Sequence, residues 1–318
     1  MACILYNNWF GCPRFAEEAA QYAALARGDV AFRSGLGGGA LFLRGGLLNH
    51  SCAPNVVYRT VGDFVFVFTV RDVAAGEELC QSYLDPQLHA DERARELREW
   101  NRGDGFVCTC VRCEYTRAHP HVARLEAEVH TAHTHAVRLA AAATAAASGC
   151  AFVVGVEAAD NAPSGVLTER DLEHVVSGAR RNEIRAALAE LPLVHQVPVL
   201  WLNEIESLLG VDADAAGMRS RLEHEMRVRD AAGLARSFGA LRCALQLAHA
   251  CWSSNDKNDG GSGECALVQA RRVFCAMNAA PAHGQLGLLD ARDFEFLAHR
   301  IVGAQHAARL EAVLGVNL

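Results

Sequence analysis

Cysteine is the residue type whose spacing says most about chemistry in this chain. Cys108, Cys110 and Cys113 stand as Cys-x-Cys-x-x-Cys, three sulfurs on a tight turn and close enough to share one ion. Tetrahedral zinc in a closed structural site takes four ligands, so three local thiolates predict a distant fourth. Spacing alone leaves Cys52, Cys80, His119 and His121 open as that ligand. The energy of zinc binding at such a site is folding energy, and metal-free protein is expected to lose order there. A second group of polar residues lies in Asn49-His50-Ser51-Cys52-Ala53-Pro54-Asn55. An Asn-His pair beside a proline-restrained turn and a β-rich stretch can line a pocket. Glu77 and Glu78 are adjacent carboxylates, but neighbours in a strand point to opposite faces, so they read as structural.

The elements that must position these residues are legible to different degrees. Val56 to Val70 alternates valine, phenylalanine, tyrosine and threonine around Gly62-Asp63, the pattern of a hairpin. Ala75-Gly76 marks a turn, Leu79 to Tyr83 a short strand, and Asp91 to Trp100 a short helix leading to the cysteines. Before them, Ile4 to Tyr6 can begin a strand, Phe15 to Arg27 has the content of a short helix, and Ala40 to Leu43 reads as a strand. The run Gly35 to Gly39 has no preceding strand and following helix at the spacing of a phosphate loop, and is expected to be a plain turn. After Cys113 the segments 121–148, 168–190, 199–209, 217–252, 264–278 and 290–314 carry apolar residues three and four apart among alanine, arginine and glutamate. They predict an all-helical domain interrupted by loops at Pro163-Ser164-Gly165, Pro192, Pro198 and Ser253 to Gly263.

Taken in order, Asn49 to Asn55, the stretch Gly76-Glu77-Glu78-Leu79-Cys80-Gln81-Ser82-Tyr83 and the cysteine cluster resemble the C-terminal half of a SET domain with its post-SET zinc site. The nearest likeness is to the SET-and-MYND (SMYD) branch of protein lysine methyltransferases, over residues 40–114. By this resemblance Asn49, His50, Tyr83 and Phe106 would contact the methyl donor S-adenosylmethionine, with the Phe106 ring on its adenine. Tyr83 would be the active-site tyrosine that orients the substrate amine, and Cys52 would join Cys108, Cys110 and Cys113 on one zinc. The helical domain would pack in a tetratricopeptide-like manner and could hold a protein partner. The earlier SET half with its Gly-x-Gly loop, and the MYND module, are not visible before Asn49.

The expectation is therefore an α+β protein: a partial β-rich SET and post-SET region over residues 1–114, then a helical domain over 115–318. Its expected activity is transfer of methyl groups from S-adenosylmethionine to lysines of a histone or other protein. The competing expectation is an inactive, zinc-stabilised interaction scaffold derived from a SET domain. The first predicts further SET and MYND-like sequence upstream of Met1, the second a stop codon there. The 318 residues are 51% hydrophobic, enough for two cores, and 30 basic residues against 37 acidic ones form no basic stripe for nucleic acid. Neither a bilayer-spanning apolar run nor a secretory signal is visible, so the expected address is cytoplasmic or nuclear. Reducing compartments keep thiols free, which leaves Cys3, Cys12, Cys150, Cys243, Cys251, Cys265 and Cys275 as expected small apolar packing residues.

Overall fold

The computed structural model describes residues 9–12, 38–61, 64–100, 106–148, 177–208, 215–253, 259–278, 291–306 and 309–310. Most of these are helical, with small sheets confined to the part before residue 82. The strands are β1 (Trp9–Cys12), β2 (Gly38–Leu41), β3 (Asn49–His50), β4 (Val56–Val61), β5 (Phe64–Thr69) and β6 (Cys80–Gln81). The helices are α1 (Ala90–Trp100), α2 (Val111–Ala118), α3 (Pro120–Ser148), α4 (Gly178–Ala189), α5 (Pro198–Leu208), α6 (Ala215–Ala231), α7 (Phe238–Ser253), α8 (Asp259–Asn278) and α9 (Ala291–Val302). Two compact units arise: one joins Met1–Tyr83 to Ala213–Leu318, and the other is Leu84–Asp212. The sequence division at residue 114 follows motif and composition, whereas compactness joins the β-rich part to the last third of the chain.

In the first unit, β4 and β5 form the expected antiparallel hairpin, in register from Val56 opposite Thr69 to Val61 opposite Phe64. Alternation puts Phe64, Phe66 and Phe68 on one face, where successive ring centroids are 6.4 Å apart, and the Arg236 guanidinium lies 5.1 Å from the Phe68 centroid. The turn residues Gly62 and Asp63 lie outside the described residues. β1 and β2 pair antiparallel, with Cys12 opposite Gly38, so Gly38 and Gly39 belong to a strand and not to the expected turn. Gly35 to Gly37, the strand expected at Ile4 and the helix expected over residues 15–27 lie outside the described residues. β3 pairs parallel with β6, Asn49 opposite Cys80 and His50 opposite Gln81.

The continuous helix expected over 217–252 is two helices. After α6 the chain reverses through Gly233 at φ +75°, with Gly233 N–H donating to the Asp230 carbonyl (3.2 Å) and Leu234 N–H to that of Arg229 (2.7 Å). This is a Schellman ending, with Leu234 buried after the glycine. Ser237 then caps α7, its hydroxyl accepting from Ala240 N–H at 3.2 Å. Small residues of α7 (Ala240, Ala244, Ala248) let Leu241 and Leu245 pack closely with Leu267, Ala270 and Phe274 of α8 and Phe294 and Ala298 of α9.

Three further expectations are corrected. Pro198 sits in the first turn of α5, where a missing N–H costs nothing, instead of in a loop. α8 starts at Asp259, inside the stretch expected to be loop, and α9 stops at Val302 before Gly303 at φ +92°. Cys243 and Cys251 are buried as expected, whereas Cys265 is exposed; Cys3 and Cys150 and the side chains of Cys12 and Cys275 lie outside the described residues.

The second unit has α3 packed on α5, α1 and α2 against α3, and α4 against α5. At its centre the Glu126 carboxylate lies between two guanidiniums, 3.4 Å from Arg93 Nη1 and 3.7 Å from Arg112 Nη2, all three side chains fully buried. Glu126 also accepts from Ala90 N–H at 2.9 Å, Arg112 donates to the Pro86 carbonyl at 2.6 Å, and Arg93 donates to that of Leu88. The charges thereby fasten residues 86–90 to both α2 and α3.

Gly233 generates a test. A Cβ there would meet the Pro54 carbonyl oxygen at 2.5 Å, at a φ that L-residues avoid. Gly233→Ala should lower the stability measured by urea unfolding by about 2–4 kcal/mol. Gly76, at φ +85° with open space around it, isolates the backbone part, and Gly76→Ala should cost only about 1–2 kcal/mol. Equal losses would contradict the close approach.

Candidate functional site

The β3–β6 pair sets the geometry of the first unit's polar cluster. Ser51 N–H donates to the Gln81 carbonyl at 2.9 Å, extending the short parallel ladder past His50. Asn55 holds its other end. Its backbone N–H reaches the Cys80 carbonyl (3.1 Å) and its carbonyl accepts from Val70 N–H (2.9 Å). The side-chain amide donates to Glu77 Oε1 (2.9 Å) and the Glu78 carbonyl (2.8 Å), and its Oδ1 accepts from Cys80 N–H (2.8 Å). Asn55 itself is 3% exposed, so its polar atoms rely on these bonds in place of water.

His50 is fixed at both nitrogens. Tyr83 N–H donates to Nδ1 at 3.0 Å, which puts the proton of a neutral ring on Nε2, and Nε2 faces Cys52 Sγ at 3.2 Å. Cys52 is fully buried, with the His50 ring nitrogen aimed at its sulfur. The Tyr83 hydroxyl donates to the Leu48 carbonyl at 2.8 Å, and its ring lies 5.2 Å from that of His50. Burial, and then the neighbouring Cys80, push the Tyr83 phenol up, so it stays protonated and acts as a hydrogen-bond donor. Asn49 is exposed and ties to Glu78 Oε1 at 2.5 Å. Glu77 is held at about 2 by Arg71 first, then by the Asn55 amide and Ala74 N–H. The structural reading of both carboxylates therefore stands, for Glu77 as the brace of the Ala74–Gly76 turn.

In the second unit the cysteines do not all share one turn. Cys108 lies before α2 outside any helix or strand, Cys110 is the N-cap of α2, and Cys113 lies in its first turn. Their three sulfurs nonetheless lie within 4.8 Å of one another. The buried Arg112 side chain between Cys110 and Cys113 anchors that turn to Glu126, leaving the cysteines at the start of the helix. Phe106 is 37% exposed and lines a mainly apolar cavity of about 270 Å³ with Ala94, Leu97, Cys108 and Cys113. Asn49, His50, Cys52 and Tyr83 are thus gathered in the first unit, and Phe106, Cys108, Cys110 and Cys113 in the second. Of the other sequence candidates for a fourth ligand, Cys80 belongs to β6, and His119 turns its Nδ1 to the Tyr115 carbonyl at 2.9 Å.

Residues 16–84 match the family model described as the SET domain. This segment is similar to SET domains. The match reaches further toward the N-terminus than the motifs quoted above, which begin to be recognisable only near residue 40. The chain is 43% identical over 68 residues to the histone-lysine N-methyltransferase SET5 of Eremothecium gossypii, covering 21% of this chain and 13% of that protein. It is 40% identical over 79 residues to SET5 of Yarrowia lipolytica, covering 24% and 17%. To the histone-lysine N-methyltransferase SMYD3 of Mus musculus it is 41% identical over 68 residues, covering 21% and 15%. The chain therefore aligns with less than a third of the length of these relatives.

Sequence reasoning missed Asn55 as the lock of the SET segment, Arg112 as the anchor of the cysteine turn, and Gly233 as the partner of Pro54. Asn55 carried a signal, being an amide just before the first β run. Arg112 carried none, because an arginine between cysteines reads as surface.

Two outcomes test the lock. Asn55→Ala leaves the Cys80 N–H and the Glu78 carbonyl without their side-chain partner, and should cost about 2–4 kcal/mol in denaturant unfolding. Because the folded-state pKa of Glu77 is depressed, its contribution is complete above its ordinary value of 4.5 and is lost as pH falls through about 2. Glu77→Gln should therefore be the less stable protein at neutral pH, and the gap from wild type should close over that acid range. A gap that persists at pH 2 would contradict the assignment.

Proposed function

We propose that this chain works in S-adenosylmethionine-dependent methylation of lysine side chains in proteins, in the manner of the SMYD branch. The observation that carries the reading is the doubly bonded His50 ring, which holds Tyr83 and Cys52 in one cluster inside the SET segment, next to Asn49 in the chain. Relatives matched over about a fifth of the chain are named histone-lysine N-methyltransferases, which makes a histone or similar protein the proposed substrate.

The residues present suit the two groups that the reading requires. Asn49 offers an exposed amide and Phe106 a partly exposed ring, a hydrogen-bonding group and a stacking surface of the kind an adenine takes. When bound, S-adenosylmethionine supplies an electrophilic methyl on a sulfonium. Asn49, His50, Tyr83 and Phe106 are assigned to holding it. The protonated Tyr83 phenol is assigned to orienting a neutral lysine amine, whose lost proton goes to water, so that catalysis rests on alignment and local dipoles. For zinc we assign Cys52, Cys108, Cys110 and Cys113, an all-thiolate set typical of closed structural sites. Zinc there would supply cohesion, and the His50 Nε2–H aimed at Cys52 would steady a ligand sulfur.

We further assign the post-SET role to the segment of Cys108 to Cys113. The tetratricopeptide-like role goes to the helical part, offered as a surface for a protein partner. In its support, α7 packs in turn on α6, α8 and α9. A cytoplasmic or nuclear site of action follows from the proposed substrate; no described helix is long and apolar enough to cross a membrane.

Calorimetric titration of the full chain with S-adenosylhomocysteine should give saturable binding, and none would sink the enzyme reading for this chain. Tyr83→Phe should keep that binding while methyl transfer to histone substrate falls by about a hundredfold. Cys110→Ser should lose one equivalent of zinc by elemental analysis; unchanged metal content would overturn the thiolate assignment.

A further inference from the structure

His89, Glu92 and His130 lie in the second unit, and their side chains have no part in the thiolate set or the Glu126 cluster described above. His89 caps the N-terminus of α1, its carbonyl accepting from Arg93 N–H at 3.0 Å, and Glu92 stands in the first turn of that helix. His130 comes from α3, and Trp201 of α5 meets its ring edge-on with centroids 5.1 Å apart, which restricts the imidazole plane. Three elements distant in sequence thus bring two imidazoles together at 4.8 Å between centroids.

The spacing around Glu92 Oε2 is the informative quantity. This oxygen is buried and makes no hydrogen bond. It lies 3.6 Å from His89 Nε2 and 3.7 Å from His130 Nε2. Both separations are too long for a hydrogen bond, which would be near 2.9 Å. They are close to the span of about 3.4–3.6 Å between two ligand atoms that each sit about 2.1 Å from one metal ion at tetrahedral or wider angles. Arg95 Nη2 is 3.8 Å from the other carboxylate oxygen, Oε1, and leaves Oε2 to the imidazoles. His133, one turn along α3, is engaged elsewhere, its Nε2 3.0 Å from Glu204 Oε2.

We propose that His89 Nε2, Glu92 Oε2 and His130 Nε2 form a second metal site, for a zinc-class divalent transition ion, separate from the thiolate set. Two imidazoles and one carboxylate are a donor set for borderline ions and not for calcium or magnesium, which want oxygen throughout. The three side chains are 16%, 24% and 21% exposed, so water can complete the coordination and the ion can exchange. Such an ion would staple the start of α1 to the middle of α3.

Cobalt separates this site from the cysteines, because only thiolate ligands give intense sulfur-to-metal charge transfer. Titrating the metal-free full chain with Co2+ should fill two sites, one with that absorption and one showing ligand-field bands alone. His89→Ala combined with His130→Ala should remove the second equivalent and leave the charge-transfer band. The near-isosteric Glu92→Gln, which keeps the packing, should weaken the second equivalent by more than about tenfold. Cys110→Ser should do the reverse, losing the charge-transfer site and sparing the other. A single equivalent in the parent, or a second equivalent undiminished in both Glu92→Gln and the double alanine variant, overturns the proposal.

Discussion

The first unit depends on burying one amide without losing any of its hydrogen bonds. Asn55 has two side-chain donors and one carbonyl to satisfy at 3% exposure, and it satisfies them on Glu77, Glu78 and Cys80 while its backbone bonds Cys80 and Val70. An unmade bond at such depth costs about 1–3 kcal/mol, so the position tolerates one arrangement of its neighbours. That arrangement fixes where β6 runs beside β3. Through β6 it fixes where Tyr83 N–H meets His50, and through His50 the tautomer that faces Cys52. A chain of four directional contacts links a buried amide to a thiol, and none of them tolerates a shift of register.

The second unit uses charge for a similar purpose. Glu126 between Arg93 and Arg112 is a fully buried carboxylate shared by two guanidiniums. Burying such a group adds little net stability, yet removing one partner strands the others, typically at about 3–5 kcal/mol. The carbonyls of Pro86 and Leu88 and the N–H of Ala90 take up further bonds of the cluster, so the segment after the SET match is pinned before the cysteines begin. Specific placement of the Cys110–Cys113 turn is what the structure obtains from this cluster.

The readable part of the sequence was the part governed by local periodicity or by a dense motif. The β4–β5 hairpin followed from alternation around Gly62-Asp63, and α1 and α3 from apolar spacing. The polar cluster at Asn49, His50 and Tyr83 followed from motif order. What could not be read depends on contacts between segments remote in sequence. The break between α6 and α7 had local markers in Gly233 and Ser237, but the alanine and arginine around them keep a helical pattern running across the break. That Gly233 faces Pro54, and that Arg112 turns inward to Glu126, are tertiary facts with no local trace. The His89, Glu92 and His130 group was equally hidden, being spread over 42 positions from first to last.

Because the first unit is assembled from Met1–Tyr83 and Ala213–Leu318, its completion is tied to the order of synthesis. The β hairpin and its polar cluster emerge early, but the surface that Gly233 offers to Pro54 is made only after the whole of Leu84–Asp212. At about 5–20 residues per second the nascent β segment waits on the order of ten seconds for its partner. During that wait Phe64 and its neighbours on an unpaired hairpin are exposed to other chains, while the uninterrupted second unit is free to fold first. Inserting one unit within another thus makes the middle of the chain the pacemaker of its two ends.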